Sequence, residues 1–499
     1  MYTIGYDLGS SSVKCVILDV EKGIPVASGS YPQDEMEITA RMPGWAEQDP
    51  TVWWENIVRL TGQLIAKNRI DIEQVKGIGI AYQMHGLVCV GKEKNVLRPA
   101  IIWCDSRAVQ IGNTAFTKLG EEYSLNNLLN SPGNFTASKL RWVKENEPAI
   151  YDKIDKIMLP GDYIAMMLTG EITTTVSGLS EGIFWDFQSH SISKKLLDHY
   201  QIDEHVLPKI VQTFSHQGYL TSHAAKELGL KEGIPIAYRA GDQPNNALSL
   251  NVLNPGEIAA TAGTSGVIYG VSDQLRCDAR SRVNQFAHVN YAEGVDRLGI
   301  LLCVNGTGIM NSWAKRNIAS AISYEQMNAM AEQSAIGSDG LRVYPFGNGA
   351  ERMLENRNIG CHINGIDFNR HTTSHMLRAI QEGIAYSLRH GTEIMKGMGL
   401  SISVIRAGKA NLFLSRTFCE TLSNLCDARI ELYDTDGAQG AARGAAFGSG
   451  IVPSIHDCMK SLKHLETISP TKETTGRLNE LYSGWKSNLE YLLQQHDAK

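Results

Sequence analysis

Ile4-Gly5-Tyr6-Asp7-Leu8-Gly9-Ser10-Ser11-Ser12-Val13-Lys14 decides how the rest of this chain is read. An apolar strand enters a glycine–serine turn and a second strand leaves it. Asp7 ends the first strand and points into the turn. Half a chain later, Ile258-Ala259-Ala260-Thr261-Ala262-Gly263-Thr264-Ser265-Gly266-Val267-Ile268-Tyr269 repeats the plan. A tight Gly/Ser turn offers unobstructed backbone N–H groups and hydroxyls, a concavity suited to anions. Two such turns predict two lobes that close on a polyphosphate. Ala240-Gly241-Asp242-Gln243 places a carboxylate just ahead of the second turn. Phosphate grips plus a lone acid is the equipment of a small-molecule kinase.

Outward from the first turn, the pattern predicts strands over 3–6, 13–20 and 25–31, joined as a meander through Glu21-Lys22-Gly23. Asp49-Pro50 reads as an N-cap acid followed by a proline at the first helical position. Trp53, Ile57, Leu60 and Leu64 then fall on one helical face, and Trp53-Trp54 reads as core packing. A short strand over 75–81 opens a strand–helix–strand pattern, so a mixed sheet with flanking helices is expected. The irregular section 112–230 reads as an insertion forming the floor of a substrate site, with helices over 138–146 and 163–168. Asn254-Pro255-Gly256 is a strong turn signal, which divides the chain into lobes 1–250 and 251–499. In the second lobe, helices are predicted over 373–396 and 411–426, with strands over 403–407 and 429–433. The segment 437–446 packs small residues onto one helix, able to approach a neighbour or a flat ligand closely.

Composition narrows the class. At 499 residues, 43% hydrophobic and 20% charged, the chain can bury large cores. Formal charge is −6 and no Lys/Arg cluster occurs, against a nucleic-acid partner. Nine scattered cysteines without a C-x-x-C pair fit reduced thiols in a cytoplasmic protein. No basic n-region with an apolar core marks a signal peptide, and the apolar run 299–304 is too short for a membrane span. Gly408-Lys409-Ala410 is not a Walker A, and Gly437-x-x-Gly440-x-x-x-Gly444 lacks dinucleotide-binding spacing.

Asp242 is the expected general base, because phosphorylating a hydroxyl needs a group that orients it and accepts its proton. Asp7 is placed to hold Mg²⁺ through water. Gln83-Met84-His85-Gly86 follows a strand, at the end where open α/β sheets bind ligands. Gln83 and His85 can bond sugar hydroxyls while Met84 covers the carbon face. The polar groups of 98–107 are expected to add contacts there.

Together these residues resemble the FGGY family of carbohydrate kinases, in the actin/hexokinase/Hsp70-like ATPase superfamily, and its xylulokinase branch most closely. The resemblance runs over about residues 1–453 and rests on several stretches. These are Trp45-Ala46-Glu47-Gln48-Asp49-Pro50 with Trp53-Trp54, Gly79-Ile80-Ala81-Tyr82-Gln83-Met84-His85-Gly86, and Arg98-Pro99-Ala100-Ile101-Ile102-Trp103. Gly133-Asn134-Phe135-Thr136-Ala137-Ser138-Lys139-Leu140, Leu159-Pro160-Gly161-Asp162-Tyr163 and Thr169-Gly170-Glu171 fit the same pattern.

The resemblance implies two ribonuclease H-like lobes with ATP and a sugar in the cleft, and transfer from Mg-ATP to the terminal hydroxyl of a ketose, D-xylulose in the nearest case. It implies Asp242 as base and Asp7 as metal-linked acid, and Met84, His85 and Gln243 as sugar contacts. Gly9, Ser10, Ser11, Gly263, Thr264 and Ser265 match the phosphate turns. Gly408, Asn411, Gly437 and Gly440 fall in the adenosine region. The chain departs from the family at Arg406 and Lys409, where bulk and charge stand for glycines, and at Cys104-Asp105-Ser106. Two alternatives stand beside D-xylulose: another acceptor (ribulose, fuculose, gluconate or glycerol), and a non-catalytic sugar or nucleotide sensor on the same scaffold. The partners implied are a small sugar and ATP, and a homodimer is left open.

Overall fold

Alternating apolar positions at the N-terminus form β1 (Tyr2–Leu8), β2 (Val13–Asp19) and β3 (Ile24–Tyr31) as an antiparallel meander. The structure is a computed structural model and describes residues 1–498. Asp49 caps α1 (Pro50–Asn68) by accepting from Thr51 N–H, and Pro50 opens the helix. Trp53, Ile57, Leu60 and Leu64 form its buried face, as their spacing predicts. Trp53 and Trp54 are both core residues, their indole N–H groups given to Gln48 and Glu227. Then β4 (Val75–Tyr82) pairs parallel with β1.

The middle section holds α2 (Thr136–Asn146), α3 (Pro160–Thr169) and α4 (Val176–Glu181). It returns through β5 (Ile236–Gly241) into α5 (Asp242–Ser249). The first sheet has the order β5-β4-β1-β2-β3.

The second sheet begins with the hairpin β6 (Glu257–Ala262) and β7 (Gly266–Ser272). It adds β8 (Asn284–Ala287), β9 (Leu298–Val304), and, after the long helix α6 (Thr373–Gly397), β10 (Val404–Gly408). Helix α7 (Arg416–Cys426) leads to β11 (Arg429–Tyr433), α8 (Gly437–Gly448) and the edge strand β12 (His464–Ile468). The order is β8-β9-β7-β6-β10-β11-β12. In each sheet a hairpin strand has an antiparallel partner on one side and two successive parallel strands on the other. The repeat therefore extends from the paired turns to whole sheets, and the molecule is a pair of ribonuclease H-like lobes of mixed sheet flanked by helices. Among the described residues no helix is long and apolar enough to cross a membrane.

One expectation needs correction. The helix expected over 411–426 breaks into a 3₁₀ turn (Asn411–Leu414) and α7. Asn411 adopts φ 52°, and Ser415 is extended and caps α7 through Phe418 N–H, so a new helix starts there. The small residues of α8 bring it close to a neighbour, the first sheet. Although late in the chain, α8 lies across β1, β4 and β5 of the first sheet. Thr3 Oγ1 donates to Ala442 O at 2.9 Å, and a Cβ added to Gly5 would stand 2.0 Å from Ala438 O. The Gly5→Ala variant is expected to lose about 1–3 kcal/mol of stability through overpacking against this backbone. A urea melt that matches wild type would reject the tight contact.

Candidate active site

Parallel pairing of β1, β4 and β5 brings three strand ends together. Asp7 near the end of β1 lies opposite Ala81 of β4, and Ala81 lies opposite Ala240 of β5. Asp242 follows directly as the first residue of α5. The strand ends Leu8, Tyr82 and Gly241 thus deliver the Gly9 turn, the Gln83–His85 segment and Asp242 to one edge of the first sheet.

Asp242 is half-buried. Burial first, and the Asp7 carboxylate second, push its carboxyl up to about 7, while the Gln243 N–H and side chain pull the other way. The Asp7 carboxyl is also raised by burial; Lys14 lowers it and Asp436 raises it. Asp436 caps α8 by accepting from Gln439 N–H at 2.8 Å. A Cβ added to Gly437 would stand 2.4 Å from Asp7 Oδ2, so only glycine lets α8 begin against that carboxylate. Asn245 Nδ2 donates to Gly437 O at 2.8 Å and ties α5 to α8. Sequence reasoning missed Asp436 and Asn245. An acid just before a glycine-rich helix is a cap signal that marks the former.

Met84 packs on Gly241, its Cγ 2.5 Å from where a Cβ there would lie. His85 takes φ 62°, its Nδ1 lies 3.0 Å from Glu181 O, and its ring sits against Phe135 and Phe286. Burial, then Lys139, drives its imidazole down to about 3, so it is neutral.

Gln83 does not join them. It is buried, donates to Gln48 Oε1 at 3.2 Å, and Gln48 in turn donates to Ser10 O at 2.7 Å. Through Gln48, Gln83 thus braces the Gly9–Ser10–Ser11 turn. Gln243 turns to Asp242 itself. The polar groups of 98–107 satisfy one another: Arg107 meets Asp105 at 2.7 Å and Glu47 at 2.8 Å, and Arg98 meets Glu47. Arg107 also stacks on Trp45 at 3.7 Å.

In the second lobe, Gly263, Thr264 and Ser265 join β6 to β7. Thr264 O accepts from Ile309 N–H at 2.9 Å, and Asn411 Nδ2 lies 3.6 Å from a Cβ position on Gly263. The turn and Asn411 are therefore neighbours. Gly408 ends β10 close to Thr435 O. Gly437 and Gly440 sit at the crossing of α5 and α8. A Cβ on Gly440 would meet Ser249 Cβ at 2.7 Å. Arg406 is paired with Glu257 at 3.0 Å and Glu431 at 2.9 Å, and Lys409 with Glu466 at 2.8 Å. Cross-strand partners thus absorb the charges that replace glycines there.

The pattern of the FGGY family of carbohydrate kinases, N-terminal domain, matches residues 2–249, and that of the C-terminal domain matches 258–449. A protein named xylulose kinase from Bacillus subtilis (strain 168) is 28% identical over 496 residues, covering 97% of this chain and 96% of the relative. One of the same name from Escherichia coli (strain K12) is 28% identical, covering 89% and 88%. In fold, the crystal structure of xylulose kinase from Rhodospirillum rubrum superposes with a TM-score of 0.89 at 24% identity, covering 100% of both chains. Gluconate kinase from Lactobacillus acidophilus gives 0.90 at 21% identity, covering 100% and 99%. With both domain patterns matched across most of its length, this chain belongs to the FGGY family of carbohydrate kinases and is an ATP-dependent sugar-phosphorylating enzyme.

Proposed function

We propose that the enzyme phosphorylates D-xylulose to D-xylulose 5-phosphate, with Asp242 as general base. The observation that carries the base assignment is the Asp242 carboxyl at the β5–α5 junction, raised to about 7 by burial and by Asp7, one residue after the Gly241 that Met84 packs on. A base poised near the operating pH transfers a proton most efficiently. The full-length relatives named xylulose kinase support the acceptor.

In this reading the sugar lies with its carbon face on Met84 and its hydroxyls toward His85. Asp242 takes the proton of the terminal hydroxyl as its oxygen attacks the γ-phosphorus. The Gly9–Ser11 and Gly263–Ser265 turns present N–H groups and hydroxyls to the phosphates, which stabilises charge during in-line transfer. Gly408 and Asn411 border the nucleoside, and Gly437 and Gly440 serve it only by setting the helix crossing. Closure of lobes 1–250 and 251–499 excludes water.

Mg²⁺ fits the acids present. Asp436 raises the Asp7 carboxyl and Asp7 that of Asp242, with Lys14 as the countercharge at Asp7. Among the described residues no group of three His, Cys, Asp or Glu could hold a metal alone. That suits an ion bound to nucleotide phosphates and reached by Asp7 through water. When bound, Mg²⁺ supplies charge neutralisation at the β- and γ-phosphates. The unpaired thiols and the absence of a disulfide among the described residues suit a cytoplasmic location.

A panel of D-xylulose, ribulose, fuculose, gluconate and glycerol with ATP and Mg²⁺, read by coupled ADP release, tests the acceptor. D-Xylulose is expected to give the highest kcat/KM. A higher value for another member replaces it, and ADP release that no sugar stimulates would point to the sensor instead.

A further inference from the structure

Glu181, the last residue of α4, is a carboxylic acid where the chain is otherwise apolar: Leu179, Ile183, Phe184 and Trp185 surround it in sequence and all are buried. Its side chain is 1% exposed, and apart from the neighbouring Tyr82 hydroxyl neither carboxyl oxygen has a hydrogen-bond partner among the described residues. Its position is nonetheless rigid. Ser177 Oγ donates to Ala287 O at 2.9 Å, and Ala287 N–H donates to Ser180 Oγ at 2.9 Å, which staples α4 to β8 of the second lobe. Glu181 O faces His85 Nδ1 at 3.0 Å. Glu181 Oε2 lies 2.9 Å from a Cβ position on Gly241, the same point that Met84 Cγ approaches to 2.5 Å. The carboxyl and Met84 therefore both stand against Gly241, the residue preceding Asp242.

A buried polar group without a partner costs about 1–3 kcal/mol, and a charged one more. The cations nearby do not relieve it. Lys139 Nζ is given to His85 O at 2.7 Å and Ile102 O at 3.0 Å, and Arg239 pairs with Asp162 at 3.0 Å. Such a group is retained where a ligand completes it. We infer that Glu181 is a specificity-determining residue, whose carboxyl contacts the acceptor's hydroxyl on the carbon next to the one being phosphorylated. This rests on the reading that Asp242 and Met84 mark the sugar end. Burial, followed by Asp242 and Asp162, raises the Glu181 carboxyl well above the ordinary range, while Tyr82 and Lys139 act against this. Its surroundings favour the protonated form, which donates one hydrogen bond and accepts another. A site that bonds a substrate hydroxyl rejects the analogue lacking it, because the buried group is left unpaired.

The test compares Glu181→Ala and Glu181→Gln with wild type on D-xylulose, and on the analogue deoxygenated at the carbon adjacent to the phosphorylated one. Glu181→Ala is expected to raise the sugar KM about tenfold or more, leave the ATP KM unchanged, and shrink discrimination against the analogue by a similar factor. Glu181→Gln keeps size and both bonding roles, so it retains both values within about threefold. Should the alanine variant not fold, Glu181→Asp withdraws the carboxyl by one methylene and is expected to raise the sugar KM about threefold. The inference is overturned by a folded Ala or Asp variant with wild-type sugar KM and discrimination, by a rate loss equal for both sugars, or by a Gln variant no better than Ala. Asp242→Asn is measured alongside. Intact turnover there sinks the site reading itself, whereas lost turnover with an unaltered Glu181 series sinks this inference alone.

Discussion

The Asp242→Asn enzyme is expected to turn over about 10²–10⁴ times more slowly than wild type, the usual worth of a positioned base. Sugar affinity should stay within a few-fold, because the amide has the size of the carboxyl and still accepts a hydrogen bond. The same substitution should erase a feature of the pH profile. In the proposed role Asp242 works deprotonated, and burial with Asp7 holds its carboxyl at about 7. As the pH falls through that value the base becomes protonated, so kcat/KM for the sugar should drop on the acid side. The residual activity of Asp242→Asn should lack this limb, since an amide does not titrate. Turnover near wild type, or an acid limb that survives, would remove Asp242 from the role.

Arg239→Met is expected to destabilise the protein by about 3–5 kcal/mol, the cost of leaving one partner of a buried ion pair uncompensated. Arg239 is wholly buried in β5, Nε 3.0 Å from Asp162 Oδ1, with Nη2 donating to Thr173 O at 3.0 Å. Asp162 Oδ2 meanwhile accepts from Leu159 N–H at the start of α3. Burial raises the Asp162 carboxyl and the Arg239 guanidinium is the strongest influence lowering it. Without the guanidinium the acid takes up a proton or strains the helix start. Removing both charges, as Arg239→Met with Asp162→Leu, should recover part of the loss, because an apolar pair of similar volume avoids the desolvation penalty. Urea unfolding of both variants checks this. A double variant weaker than the sum of its single changes, or a single variant as stable as wild type, would rule the account out.

Legibility in the sequence followed the range of the interactions involved. Gly9–Ser11 and Gly263–Ser265 were readable because a tight turn is made by neighbouring residues. The face of α1 was readable because side-chain period reports local geometry. Gln83 and Asp242 both follow strand ends, yet Gln83 is turned to Gln48. The orientation of Gln83 depends on Gln48, which the fold brings from 35 residues away. The glycines of α8 were correctly seen as close-approach residues, but their partner is β1, more than 400 residues distant. Nothing local distinguishes a helix that packs on a sheet from one that packs on adenine.

What the chain's own order of residues determined was the pair of strand–turn–strand units, the helix start at Asp49, and the chemical kinds of group available, including the acids Asp7 and Asp242. Each follows from backbone preference and period, which act over a few residues. Tertiary structure alone decided which acids meet. Parallel pairing of β1, β4 and β5 set Asp7 and Asp242 at one edge, α8 crossed back to press Gly437 on Asp7, and the α4–β8 staple brought Glu181 beside Gly241. Burial and mutual repulsion then raised those carboxyls, and both depend on distances that no stretch of sequence contains.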